Sequence, residues 1–363
     1  MSALDNAFLL HRQGRLAEAE AGYRGLLEAN PDDVDILHVL GILRRQQGDA
    51  GGALALMTRA HELAPDNATI EFTRGSLLME QGDLAGAGLA FARTLVLDPN
   101  FTGAHLGLGQ MALQRGDDLA AEQHFRIALR AGADDPHALT GMGAILLRRD
   151  DAEGAVRYLT RAAEQLPDYP MLQFLLGQAF ARRDMLDFAE QALGNALRLD
   201  PALHEAQAWL AEVLLRHGRP AEAEVHYRAL FPLQDYAVVA RLGFADVARM
   251  QQRLEDAVAH YRDALALAPG LSLPTRALAM VLADLGRNDE AIMAYGAYLA
   301  QVPDDAEMRL LRADVLMLLG RWQEAAEDWR HLLERNPDDV NARQRLAEAE
   351  AQLAATPTGG ASA

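Results

Sequence analysis

The sequence predicts an all-α protein, a solenoid of antiparallel helix pairs. Three observations predict it. Alanine recurs every 34 residues, at Ala19, Ala53, Ala87, Ala121, Ala155, Ala189, Ala223, Ala257, Ala291 and Ala325, with no insertion or deletion. A large apolar residue follows each alanine by four positions: Tyr23, Met57, Phe91, Phe125, Leu159, Leu193, Tyr227, Tyr261, Tyr295 and Trp329. Proline closes most of the units, at Pro31, Pro65, Pro99, Pro167, Pro201, Pro269, Pro303 and Pro337, where it does not interrupt a helix interior. A repeat unit of this size cannot bury its apolar face alone, so neighbours must stack.

The elements follow in order. The first unit, residues 1–33, lacks the opening position of the frame, and Gly14 marks its turn. In residues 34–67, Ile36, Leu37, Leu40 and Leu43 recur at helical spacing, Gly48 and Asp49 interrupt, and Leu54, Met57, Ala60 and Leu63 resume it. This reads as helix, tight turn, helix. Units starting at 68 and 102 turn at Gly82 and Gly116, and those starting at 136 and 170 open on proline, which a first helical turn accepts. The unit from 204 turns at Gly218 and starts its second helix at Pro220. After it, Leu230-Phe231-Pro232-Leu233-Gln234-Asp235-Tyr236 lacks the usual proline, and Gln251-Gln252-Arg253 replaces the glycine turn of the unit from 238. Either drift at a tolerant turn or a bend in the array would account for both. Units from 272 and 306 carry Pro274 in a first turn and turn glycines Gly286 and Gly320. Residues 340–353 keep the frame through Ala347 and are expected to cap the last apolar face; residues 354–363 have no apolar periodicity and are expected to be disordered.

The turn glycines suit a left-handed residue that ends the first helix without a Cβ penalty. Asp32, Asp66, Asn100, Asp134, Asp168, Asp304 and Asp338 precede the next unit and are expected to N-cap its first helix, at about 1 kcal/mol each. Small residues at the eighth position (Gly41, Gly75, Gly109, Gly143, Gly177, then alanine) let the helices approach, and the large residue at the twenty-fourth fills the space beside them. Arg74 and Arg312 stand at a position that is mostly leucine, and their stems are expected to pack while their heads reach solvent.

Composition narrows function. The 363 residues carry 52 acidic against 34 basic side chains, a formal charge of −18 shared by both halves, and every basic residue is arginine. With no clustered cations, sequence-independent nucleic-acid binding and attachment to anionic membrane are not expected. The chain has no cysteine, which removes disulfides, thiolate zinc sites and a cysteine nucleophile. Met1–Arg15 has only the short apolar run Ala7–Leu10, so neither a secretory signal nor a membrane span is expected there, and a cytoplasmic protein is. The eleven histidines form no helical metal pair, no phosphate-cradling glycine loop occurs, and no Gly-x-Ser-x-Gly appears. No enzyme activity, cofactor or metal is expected.

The 34-residue frame, with its small eighth residue, alanine at twenty, large residue at twenty-four and closing proline, resembles the tetratricopeptide repeat over residues 1–339. The resemblance implies a right-handed superhelix whose first helices line a concave groove, and a scaffold or adaptor holding an extended protein segment there. The groove positions it implies include Phe72, Ser76 and Met79; Leu106, Gly107, Gln110 and Gln114; His137, Thr140, Gly141 and Arg148; Met171, Phe174, Gln178 and Arg182; Trp209, Glu212 and Arg216; and Asp246, Arg249 and Met250. Arg148, Arg182 and Arg216 share one period and are expected to form a row along the groove beside Phe174 and Trp209, on a surface opened by Gly107 and Gly141. That combination suits a segment with apolar anchors and carboxylates. An ordinary solvated helix face, with arginines paired to nearby acids such as Glu212, is the competing reading.

Two recognition modes of the family are not carried over. A lysine-based carboxylate clamp has no lysine to build it, and the asparagine ladder of the sugar-transferase repeats has no asparagine at its position. Bacterial arrays of this look often accompany glycosyltransferase or sulfotransferase domains, so substrate recognition for such a system is one alternative, although no such domain is expected after residue 353. Help in assembling a secretion, pilus or envelope polysaccharide machine is another.

Overall fold

The computed structural model describes residues 2–132 and 134–355. Every regular element among them is helical, and the chain divides into two compact units, residues 1–185 and 186–363. The first holds α1 (Ala3–Arg12), α2 (Leu16–Ala29), α3 (Val34–Gln46), α4 (Ala50–Leu63), α5 (Ala68–Glu80), α6 (Leu84–Leu97), α7 (Thr102–Gln114), α8 (Asp118–Ala131), α9 (Pro136–Arg148), α10 (Ala152–Gln165) and α11 (Pro170–Arg182). The second holds α12 (Leu186–Leu199), α13 (His204–Arg216), α14 (Pro220–Leu230), α15 (Ala237–Met250), α16 (Leu254–Leu267), α17 (Ser272–Asp284), α18 (Asn288–Gln301), α19 (Ala306–Leu318), α20 (Trp322–Arg335) and α21 (Val340–Ala355). Within each unit the helices pack as sequential antiparallel pairs, each pair against the next. Among the described residues no helix is long and apolar enough to cross a membrane.

The turn between paired helices repeats with the sequence. Gly14, Gly48, Gly82, Gly116, Gly218, Gly286 and Gly320 are all left-handed, with φ between 70° and 82°. Asp150, Asp184 and Gln252 occupy the same place in the units without a turn glycine and adopt the same conformation, at φ 61°, 58° and 60°. The turn therefore survives loss of glycine, at Gln252 as well. The break at the end of the unit from 204 is real but local: α14 stops at Leu230, and a 3₁₀ turn over Gln234–Tyr236 leads into α15.

The caps differ from the sequence expectation by one residue. Asp33, Asn67, Asp135, Asp305 and Asp339 accept the free backbone N–H groups of the following helix, as from Ile36 at 3.1 Å and Ala342 at 3.0 Å. Their neighbours Asp32, Asp66, Asp134 and Asp304 instead take a guanidinium from the next unit's second helix, from Arg59 (2.8 Å), Arg93 (2.8 Å), Arg161 and Arg335, and Asp338 pairs with Arg343. Asn100 and Asp168 precede Phe101 and Tyr169, N-cap residues whose side chains make no cap bond. The second side chain of each pair, a carboxylate or the Asn67 amide, has the geometry to reach the third helical residue, which leaves the first to the ion pair. Asp49, Asp83, Asp117 and Asp151 cap the second helices α4, α6, α8 and α10.

The core is a column of wedges. Tyr23, Met57, Phe91, Phe125 and Leu159 in the first unit, and Tyr261, Tyr295 and Trp329 in the second, are at most 3 % exposed. Glycine is required where a wedge meets a first helix. A Cβ on Gly109 would lie 2.7 Å from Phe125, and on Gly75 2.9 Å from Phe91. Arg74 and Arg312 depart from the expectation of solvated heads. Arg74 pairs at 2.6 Å with Glu71, and Arg312 at 2.5 Å with Asp328; both carboxylates are 1 % exposed, and their burial demands a cation. Ala354 and Ala355, read as tail, complete α21; the rest of that tail lies outside the described residues.

Candidate functional site: a glycine-floored pocket in the first unit

The inner helices α5, α7 and α9 carry small residues where their neighbours carry bulk, and a cavity of ≈ 430 Å³ opens between them. Its floor is aromatic. The rings of Phe91 and Phe125 reach it from the second helices, because Gly107 and Gly141 have no side chain to cover them: a Cβ there would stand 2.6 Å from Phe91 and 2.3 Å from Phe125. The sequence reading that these glycines open the surface is thus refined, since each vacated space is filled by a ring that becomes the wall. Phe72, 5.7 Å from Phe91 and 4.9 Å from Phe101 between ring centroids, leans over Gly103, and Met79 and Leu106 complete the apolar side.

The polar rim is mostly satisfied internally. Ser76 donates to the Phe72 carbonyl (3.1 Å) and Thr140 to the Pro136 carbonyl (2.6 Å). Arg45 is held by Glu80 on α5, and His137 lies edge-on to Tyr169 at 6.0 Å. Gln110 is exposed, and its amide makes no hydrogen bond among the described residues. No carboxylate lines the cavity. In a chain of net charge −18 this is a neutral, aromatic recess with one free amide at its edge, suited to a large apolar or aromatic side chain.

Phe72, Met79 and Gln110 are brought together by this pocket, along with the groove positions Ser76, Leu106, Gly107, His137, Thr140 and Gly141; Gln114, Arg148, Phe174, Gln178, Arg182, Trp209, Arg216 and Arg249 are not. Gln114 is exposed at the end of α7, and Gln178 is half-buried on α11, both off the lining. Phe174 is buried, 7 % exposed, and belongs to packing, so it offers no anchor surface. Trp209 is half-buried on α13 in the second unit. The arginine row is not a set of waiting cations. Arg148 is paired with Asp118 at 2.7 Å, and Arg182 donates to the Leu147 carbonyl and lies 3.7 Å from Asp150. Arg216 is exposed on α13 and is also engaged within the chain. Arg249 reaches Asp246 at 3.4 Å. Every one of the partners named lies inside the chain, as the solvated-face reading anticipates.

Five lining residues were not among the groove positions named from sequence: Arg45, Phe91, Gly103, Phe125 and Tyr169. Phe91 and Phe125 carried a usable signal, namely glycine at the sixth position of the following unit, which lets the ring of the preceding wedge reach the inner helices. Among the described residues no group of three or more histidine or acidic side chains is arranged to hold a metal ion.

No curated protein sequence matches the chain. Among solved structures, a tetratricopeptide repeat protein from Parabacteroides merdae ATCC 43184 aligns with TM-score 0.51 and 16% identity, over 69% of this chain and 98% of that one. The APC/C hetero-tetramer Cut9–Hcn1 aligns with TM-score 0.50 and 14% identity, over 96% of each chain. At such identities the likeness is one of fold. The family assignment rests on sequence: the profile described as Tetratricopeptide repeat matches residues 4–68, 72–136, 186–238 and 276–330, well over half of the chain. With the ten left-handed turns and the wedge column already in place, these matches show that the chain belongs to the tetratricopeptide repeat family.

Proposed function

We propose that the chain is a non-catalytic interaction scaffold that holds an extended protein segment on the inner helices of its first unit, with one large apolar or aromatic side chain of that segment seated in the glycine-floored pocket. The observation that carries this reading is the recess itself, walled by Phe72, Met79 and Leu106 and closed at its base by the edges of the buried Phe91 and Phe125 rings beneath Gly107 and Gly141. The recess has a volume of ≈ 430 Å³, within the range of ligand sites. The acidic groups first expected in the partner lose their support, because Arg148 and Arg182 are engaged by Asp118 and by the Leu147 carbonyl.

The test is selection from a random peptide library displayed on phage, with the purified full chain as bait. Selected peptides are expected to share an aromatic or long aliphatic position. Met79→Glu, which places a charge on the apolar wall of a half-buried site, is expected to weaken the best of them by about 30-fold, the loss that accompanies a buried anchor. Equal binding by wild type and Met79→Glu removes the pocket from the account.

A further inference from the structure

A second cavity, ≈ 560 Å³, lies wholly inside the second unit, between α15 and the segment that starts α17. Its chemistry differs from that of the first. The walls are aliphatic: Leu242, Leu271, Leu273, Pro274 and Ala277 line it, and Leu273 is 71 % exposed, an apolar side chain that nothing in the chain covers. Into this apolar surround projects one carboxylate, Asp246.

That carboxylate is aimed and half satisfied. Tyr261, the wedge of its unit and 2 % exposed, donates its hydroxyl to Asp246 Oδ1 at 2.6 Å. The nearby Arg249 reaches the same oxygen at 3.4 Å, a long contact from a side chain that is half exposed. Both contacts fall on Oδ1, and Oδ2 accepts no hydrogen bond among the described residues. The tyrosine that fixes this geometry has phenylalanine as its counterpart in the first unit, at Phe91 and Phe125, where the wedge has no hydroxyl to offer. A fixed anion at the edge of an uncovered aliphatic wall is complementary to a side chain with an apolar stem and a cationic head.

We propose that this cavity is a subsite for an arginine or lysine side chain of a protein segment, its stem lying along Leu271, Leu273 and Pro274 and its head hydrogen-bonded to Asp246 Oδ2. The subsite shares no lining residue with the aromatic pocket of the first unit and differs from it in chemistry, so it stands whether or not that pocket binds.

The test pans the same random peptide library against the full chain and against Asp246→Asn, a substitution at a half-buried side chain that keeps the shape of the site. Wild type is expected to enrich a basic position that Asp246→Asn does not, and Met79→Glu is expected to keep that enrichment. The best basic peptide is then compared with its neutral isostere, citrulline for arginine or norleucine for lysine, by calorimetric titration. The isostere is expected to bind wild type about tenfold more weakly or worse, the range of a charge-assisted hydrogen bond, and to bind Asp246→Asn as the parent peptide does. Ala277→Phe, which fills the cavity and leaves Asp246 in place, is expected to abolish the preference in a protein of unchanged helical circular dichroism. Absence of any enriched basic position overturns the proposal, as does an isostere penalty of equal size against wild type and Asp246→Asn, or a preference that survives Ala277→Phe.

Discussion

Substitution of Gly141 by alanine tests the packing that builds the first pocket. A Cβ at this position would stand 2.3 Å from Cε2 and 2.4 Å from Cζ of Phe125, where carbon atoms prefer about 3.5–4.0 Å. The other edge of the ring already lies close to α7, where a Cβ on Gly109 would stand 2.7 Å from it, and Phe125 is 3 % exposed. Overpacking of this kind costs about 1–3 kcal/mol, with the closely packed ring placing it near the top of the range. Helix propensity works the other way, since alanine gains about 1 kcal/mol over glycine in a helix interior. The expected net effect of Gly141→Ala is therefore a loss of about 2 kcal/mol. Gly25 in α2 is the matched control: it is exposed, a methyl group added there would meet nothing within 4 Å, and Gly25→Ala is expected to gain about 1 kcal/mol. Urea unfolding of the two variants, with amide exchange across α8 and α9 to localise the change, reads the difference. A Gly141→Ala protein stabilised as much as Gly25→Ala would refute the claim that these glycines are kept for a ring. Phe125→Leu in the Gly141→Ala background is expected to recover part of the loss.

Three further outcomes follow from the same structure. Gln252→Gly relieves a left-handed non-glycine residue and is expected to raise stability by about 1 kcal/mol in a thermal melt, whereas Gly116→Ala at the equivalent turn is expected to lower it by about the same amount. Arg312→Met leaves the buried Asp328 with Arg309 alone, at 3.1 Å, and is expected to cost about 3 kcal/mol in urea unfolding, far more than removal of the exposed Arg59 from Asp32. Hydrogen bonds from Arg287 and then Arg262 hold the Glu290 carboxyl down to about 2 from its ordinary 4.5, so its contribution to stability is present above 4.5 and disappears as pH falls to about 2. Glu290→Gln is expected to flatten that part of the acid-unfolding profile, and an unaltered profile contradicts the assignment.

The repeat frame was legible because the features that carry it are local. Apolar spacing, a left-handed turn and a closing proline all act within one unit, and even Asp150, Asp184 and Gln252 obey the turn without the glycine that advertises it. What the sequence concealed is set by contacts between units. Two adjacent aspartates look alike as caps, and only the position of Arg59 or Arg161 on the following unit shows which of them is left for an ion pair. Arg148 and Asp118 are 30 residues apart, so their pairing is invisible until the helices are stacked. The buried acids Glu71 and Asp328 were hidden for the same reason, while Arg74 and Arg312, which neutralise them, drew notice only as misfits in a leucine position. The candidate site was half legible: Phe72, Met79 and Gln110 were named from their helix positions, but its floor comes from buried wedge residues whose rings reach the cavity beneath glycines of the next unit.

The most direct test of the binding account is the methyl resonance of Met79, in protein labelled with ¹³C at the methionine methyls and titrated with an aromatic peptide selected on the full chain. Met79 lines the first pocket, and Met293, 75 % exposed on α18, serves as the reference for nonspecific contact. The account predicts a saturable shift of Met79 with Met293 unmoved. A peptide that binds and leaves Met79 unshifted would contradict it.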